Sequence, residues 1–141
     1  MTDLTLTIER TINASQEDLF NAWLNPDMLR KFMVPKSGMS VPHAANDPKK
    51  GGRFDIIMQA GDDKLPHAGT YKEIDPHKRI VFSWESPYSM DDSIVTLTFD
   101  PADTGTLVTL HQVRFADEAA RDSHRGGWGS ILDALDAELA A

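Results

Sequence analysis

Cysteine is absent from this sequence, which excludes disulfides, thiol nucleophiles and thiolate metal sites while fitting either side of a redox boundary. No stretch approaches the roughly 20 apolar residues that span a bilayer. Residues 1–12 alternate polar and apolar side chains and hold no apolar run resembling a signal peptide, so a cytoplasmic protein without membrane insertion is expected. Positive charge is also scarce. Lys and Arg number 14 against 22 Asp and Glu, and the formal net charge of -8 opposes long-range attraction to nucleic acid or anionic lipid. The basic residues are scattered, in pairs such as Arg30-Lys31 and Lys49-Lys50, so no phosphate-tracking stripe forms and nucleic acid is not an expected partner.

Motifs of catalysis are missing too. No nucleophile-elbow sequence surrounds a Ser, and Gly126-Gly127-Trp128-Gly129 lacks both the tight strand-to-helix turn and the Lys of a phosphate loop. His43, His67, His77, His111 and His124 include no pair at the i, i+4 spacing of a helical zinc motif. Neither metal nor cofactor is expected, and no catalytic residue is assigned. His111 reads as a surface or sheet-packing residue, and His124 either as a helix-end cap or as a neighbour of a pocket mouth.

What is present is an ordinary globular composition, 40% hydrophobic and 26% charged over 141 residues, enough for one domain spanning residues 1–141 with one core. Leu4, Leu6, Ile8 and Ile12 alternate with polar residues, as in a strand with one buried face. Ser15 and Asp18 resemble a capping box before Leu19, Phe20, Trp23 and Leu24 at helical spacing. Asn25-Pro26 restarts a second short helix, with Met28, Leu29 and Phe32 on its apolar side and an end near Pro35. Six strands follow, over residues 39–45, 53–59, 67–74, 79–85, 94–100 and 106–115, separated by breakers at 46–52, 61–66, 75–76, 87–92 and 101–105. Asp117 caps a last helical stretch that Gly126-Gly127 is expected to kink or break. Beyond it Trp128, Ile131, Leu132, Leu135 and Leu139 share one face. The expectation is an α+β fold, a curved seven-stranded antiparallel sheet with two short helices and a long C-terminal helix.

In order and spacing, these elements resemble the START-like (SRPBCC) superfamily, and are similar to the C-terminal domain of the heat-shock-protein-90 ATPase activator. The resemblance is carried by Glu9-Arg10, Leu19-Phe20, Ala22-Trp23, Asn25-Pro26, Gly51-Gly52, Gly69, Tyr71, Glu73-Ile74, Arg79 to Phe82, Val95, Leu97, Phe99, Gly127-Trp128, Leu132 and Leu135, across nearly the whole chain. It implies a helix-grip (START/Bet v 1-like) fold around an apolar cavity. It also implies several roles: binding of a small hydrophobic molecule, a co-chaperone-like interaction with a chaperone or self-association, or a polyketide-cyclase-like or hydrolytic activity using a pocket carboxylate. The sequence departs from the family at Phe32-Met33, where Trp is common, and at Gln112, where His is frequent; both bear on ligand preference.

The expected ligand-facing set is Trp23, Phe32, Phe54, Ile56, Met58, Tyr71, Phe82, Trp84, Leu97, Phe99, Leu110, Trp128 and Leu132, residues that any core of this size would also bury. Tyr71, Glu73 and Gln112 lie at sheet positions that alternation points inward, where polar groups would orient a ligand, and Arg10 is a candidate partner for Glu73.

Overall fold

A computed structural model describes residues 4–34, 38–86 and 93–140 of the chain. The expected helix end at Pro35, the breaker at 87–92 and the first three residues of the chain lie outside the described residues.

The elements run β1 (Thr5–Ile12), α1 (Gln16–Leu24), α2 (Pro26–Phe32), β2 (Ser40–Asn46), β3 (Arg53–Ala60), β4 (Asp63–Asp75), β5 (Arg79–Ser83), β6 (Ile94–Pro101), β7 (Thr106–Val113) and α3 (Glu118–Ala140). The sheet order is β1-β7-β6-β5-β4-β3-β2, antiparallel throughout. β1 and β2 therefore stand at opposite edges, and α1 and α2, which join them, must cross the full width of the sheet. Local chemistry sets those helices: the Ser15 hydroxyl accepts from the Asp18 N–H, and the Asn25 side chain accepts from Asp27 and Met28 ahead of Pro26 in the first turn. Among the described residues no helix is long and apolar enough to cross a membrane.

Five expectations need correction. β4 begins at Asp63 rather than beyond the 61–66 breaker, because Gly61, at φ 61°, makes a two-residue hairpin turn with Asp62. Pro66 sits inside this strand without harm. Ala68 sends its N–H away from β3 to Glu85, and Pro66, two residues earlier, has its missing donor on that same side, so the β3–β4 ladder loses nothing. β5 stops at Ser83, with Glu85 reduced to an isolated bridge, and β7 stops at Val113 before Arg114 turns to φ 69°. The third correction concerns α3, which runs unbroken through Gly126 and Gly127. A glycine costs a helix interior only about 1 kcal/mol relative to alanine, and the apolar stripe of Trp128, Ile131, Leu132 and Leu135, all buried, holds the helix against the sheet. The fourth is Glu73, which points outward. Between Tyr71 and Glu73 the β4–β5 register shifts by a bulge, so buried Tyr71 is followed by two exposed residues and the inward phase resumes at Ile74, opposite Ile80.

One buried polar chain joins α3 to the sheet. The Trp128 indole N–H donates to Gln112 Oε1 at 2.7 Å, Gln112 Nε2 donates to the Ser93 hydroxyl at 2.9 Å, and that hydroxyl donates to the Val113 carbonyl at 2.8 Å. Gln112 is completely buried, at 0% exposure. On the surface, Arg10 of β1 reaches Asp133 and, at 2.7 Å, Asp136 of α3. This corrects its expected pairing with Glu73, which lies on β4, four strands away, and faces Arg79 at 3.8 Å.

Removing Gln112 as alanine strands the buried indole N–H and is expected to destabilise the fold by about 2–4 kcal/mol, read from urea unfolding. Gly129, in the middle of α3 with open space where a Cβ would stand, is the opposite case. Gly129→Ala should raise stability by about 1 kcal/mol; a loss in the same measurement would mean that the helix is not continuous there.

Candidate functional site

Two interior regions differ in how fully they are packed. Beneath α1 and α2, the rings of Trp23, Phe54, Tyr71 and Phe82 close together with Leu29, Met33, Ile56 and Ile80 around a residual void of about 10 Å³. Gly69 permits this packing. A Cβ there would lie 2.5 Å from the Phe54 ring and 2.0 Å from the Ser83 carbonyl oxygen. Phe32 stacks edge-on to Trp23, and Phe99 edge-on to Phe20, while Leu97, Leu110 and Leu132 are each fully buried. The polar members of this interior are engaged: the Tyr71 hydroxyl accepts from Asn46 Nδ2 at 3.1 Å, and burial pushes its phenol up from its ordinary value. The exception is the Trp23 indole N–H, the one buried side-chain polar atom without a partner among the described residues.

The second region is open. A cavity of about 670 Å³ lies between the first half of α3 and the β3–β4 hairpin, lined by Met39, Met58, Ala60, Leu65, His67, Trp84, Ser86, Asp122, Ser123, His124, Gly126, Gly127, Trp128, Ser130 and Ile131. Of the residues anticipated from the sequence as ligand-facing, the structure places Met58, Trp84 and Trp128 on this wall. Trp23, Phe54, Ile56, Tyr71 and Phe82 surround the nearly filled void, Phe32, Leu97, Phe99, Leu110, Gln112 and Leu132 are packed core, and Glu73 is on the outside. His124, anticipated as a possible neighbour of the mouth, does line the cavity.

The space exists because of what α3 does not carry. Ser123, Gly126, Gly127 and Ser130 follow an i, i+3, i+4, i+7 spacing, so one face of the helix presents only small side chains over the hairpin. Within the same stretch of helix, Trp128 adds an aromatic ring to the wall, with ring centroids 4.8 Å from Trp84 and 6.4 Å from Trp23. Sequence reading weighted large apolar residues and passed over this stripe of small ones, which was the available signal.

His67 is the distinctive polar group of the wall. It stands opposite Ile56 in the β3–β4 register, an inward position, and its ring lies 4.9 Å from that of Trp84. Its Nδ1 is 3.0 Å from the Leu65 carbonyl oxygen, which can only accept, so Nδ1 carries the proton. Burial is the main cause that lowers its pKa from 6.5 to about 4, with the neighbouring His124 adding to it against the Leu65 bond. Among the described residues no cluster of three or more His, Cys, Asp or Glu could hold a metal ion.

Between pH 6.5 and about 4 the unfolded chain binds a proton on His67 that the folded chain refuses. Stability present at neutral pH should therefore fall as the pH drops through 6.5 and stop falling on this account near 4. His67→Phe is expected to flatten that limb by up to about 3 kcal/mol. Urea unfolding of both proteins at several pH values measures it, and parallel curves would refute the buried neutral imidazole.

Comparison with known proteins followed the same outline. A crystal structure of a protein from Chromobacterium violaceum superposes with a TM-score of 0.86 at 25% identity, covering 94% of this chain and 94% of that one. The solution structure of an AHSA1-like protein from Aeromonas hydrophila gives 0.81 at 24% identity, covering 94% of this chain and 90% of that one. A protein from Rhizobium leguminosarum gives 0.77 at 27%, covering 96% and 93%. No protein with a curated description matches the chain. The family model described as "Activator of Hsp90 ATPase homolog 1-like protein" matches residues 13–140, and with the helix-grip sheet and helix already in place, the chain belongs to that family.

Proposed function

We propose that the chain binds a small hydrophobic molecule in the cavity between the β3–β4 hairpin and the first half of α3. One observation carries the reading: a region of about 670 Å³ with a largely apolar and aromatic wall stays open between sheet and α3, beside a part of the core closed down to a void of about 10 Å³. Ligand pockets of drug-sized molecules fall in the range of roughly 300–1,000 Å³ and are lined mainly by apolar and aromatic groups. Met39, Met58, Leu65, Trp84, Trp128 and Ile131 supply such a wall.

An acid–base enzyme working through Glu73 finds no support in this geometry, since that carboxylate lies on the outer face beside Arg79. The co-chaperone reading draws only on the family's description, whereas ligand binding draws on a cavity.

A neutral fluorescent dye such as N-phenyl-1-naphthylamine is expected to bind saturably, with energy transfer from Trp84 and Trp128. Ala60→Phe, which places a ring in the cavity, should weaken it by at least about tenfold, or roughly 1.4 kcal/mol. Leu110→Ala, in the packed core, should instead cost about 2–5 kcal/mol of stability with little effect on affinity. No saturable binding, or an affinity indifferent to Ala60→Phe, would remove the cavity as the site.

A further inference from the structure

We infer that the guest is an uncharged, largely apolar molecule carrying a hydroxyl or N–H donor, and that it gives this hydrogen to Nε2 of His67. The inference rests on the cavity being the binding site and adds the chemistry of what enters it.

The geometry begins with the register. His67 shares the inward face of the hairpin with Ile56, lines the cavity, and has its plane set by Trp84 on one side and by the Leu65 carbonyl at Nδ1. A neutral imidazole has one donor nitrogen and one acceptor nitrogen. With the proton committed at Nδ1, Nε2 keeps a lone pair, and among the described residues nothing donates to it. His67 Nε2 is thus an acceptor of fixed direction on a largely apolar stretch of wall, which a guest with a donor satisfies and a pure hydrocarbon leaves desolvated and unpaired.

Charge on the wall decides the rest. Among the described residues no Lys or Arg lines the cavity, so none of them there forms a salt bridge with a carboxylate or phosphate. The burial that keeps His67 neutral down to about pH 4 also prevents it from serving as that cation. From α3 the titratable groups facing the space are Asp122 and His124. Asp122 sets a negative charge at the rim, where it repels anions, and it is already paired with Arg121 at 3.1 Å, which weakens its call on an amine. His124 Nδ1 is held 2.8 Å from the Ala120 carbonyl oxygen, so its proton there belongs to its own helix. Ser86, Ser123 and Ser130 add neutral polarity only.

Four probes sharing one ring system test this on the wild-type chain at neutral pH: naphthalene, 1-naphthol, 1-naphthoate and 1-naphthylmethylammonium, titrated by calorimetry. 1-Naphthol is expected to bind tightest, roughly 3- to 10-fold above naphthalene, the range of one net hydrogen bond, with both ions weaker than naphthalene. In His67→Phe the preference for naphthol over naphthalene should vanish while naphthalene is retained. A readout independent of any variant comes from ¹⁵N correlation spectra of the wild-type His67 ring. The free protein should show Nδ1 protonated and Nε2 bare, and the Nε2 resonance should move with naphthol and stay with naphthalene. Equal affinity of naphthol and naphthalene, a tighter ion, or a proton found on Nε2 overturns the inference and leaves the cavity as a site. Failure of all four probes to bind overturns the cavity reading, and this inference with it.

Discussion

The arrangement depends on the hydrogen bond from the Trp128 indole to Gln112. An amphipathic helix laid on a sheet by hydrophobic contact alone is free to rotate and slide, because dispersion and burial are non-directional. The bond at 2.7 Å, continued through Ser93 to the Val113 carbonyl, is directional and buried, and leaving either partner unsatisfied is costly. It fixes α3 about its own axis. With Trp128 pinned over β7, Ile131, Leu132 and Leu135 are directed into the core, and the small residues of the preceding turns are left over the hairpin. The same ring that anchors the helix also divides the interior, touching the filled half through Trp23 and the open half through Trp84.

Elements whose cause is local were legible in the sequence. The alternation in β1 and β3, the Ser15 and Asn25 caps and the apolar stripe from Trp128 to Leu135 read directly as strand, helix starts and grip helix. Features decided by geometry between elements were not. The bulge at Tyr71/Glu73 inserts one residue and reverses the phase of the strand, so alternation counted from Tyr71 carries Glu73 inward while the folded chain turns it out. Gly126-Gly127 looked like a break because glycine is a poor helix former, yet the cost is small beside the burial of the helix's apolar face. In the fold these glycines make room.

The candidate site was harder to read for a related reason. Large apolar residues announce a core, and most of those singled out are indeed core, from Phe54 to Leu132. A cavity is announced by their absence on a face that points inward, and one sequence alone does not show which face that is until the helix is seated. Ser123, Gly126, Gly127 and Ser130 acquire meaning only once Trp128 has been placed. His67 was hidden likewise: it stood at the very start of an expected strand, where alternation gives little hold on which face it takes, until the Gly61 turn extended the hairpin to both sides of it.

Charge is sorted between surface and interior. The ion pairs of Arg10 with Asp133 and Asp136, Arg53 with Glu85, and Arg79 with Glu73 all lie on exposed or half-exposed surface, where each adds little to stability. The polar groups of the interior are neutral: Tyr71, Ser93, Gln112 and, through its depressed pKa, His67. Burying a charge costs several kcal/mol unless it is closely paired, whereas a neutral group needs only a hydrogen bond. An interior built this way can hold a hollow, because apart from Asp122 at the rim its described walls need no water to solvate a charge. The hollow still forgoes apolar contact along the first half of α3, where glycine replaces the side chains that would have packed on Met58, Leu65 and Trp84. A guest of the proposed kind would restore that contact, and by binding the folded chain alone it would stabilise the end of the helix that the sequence leaves least supported.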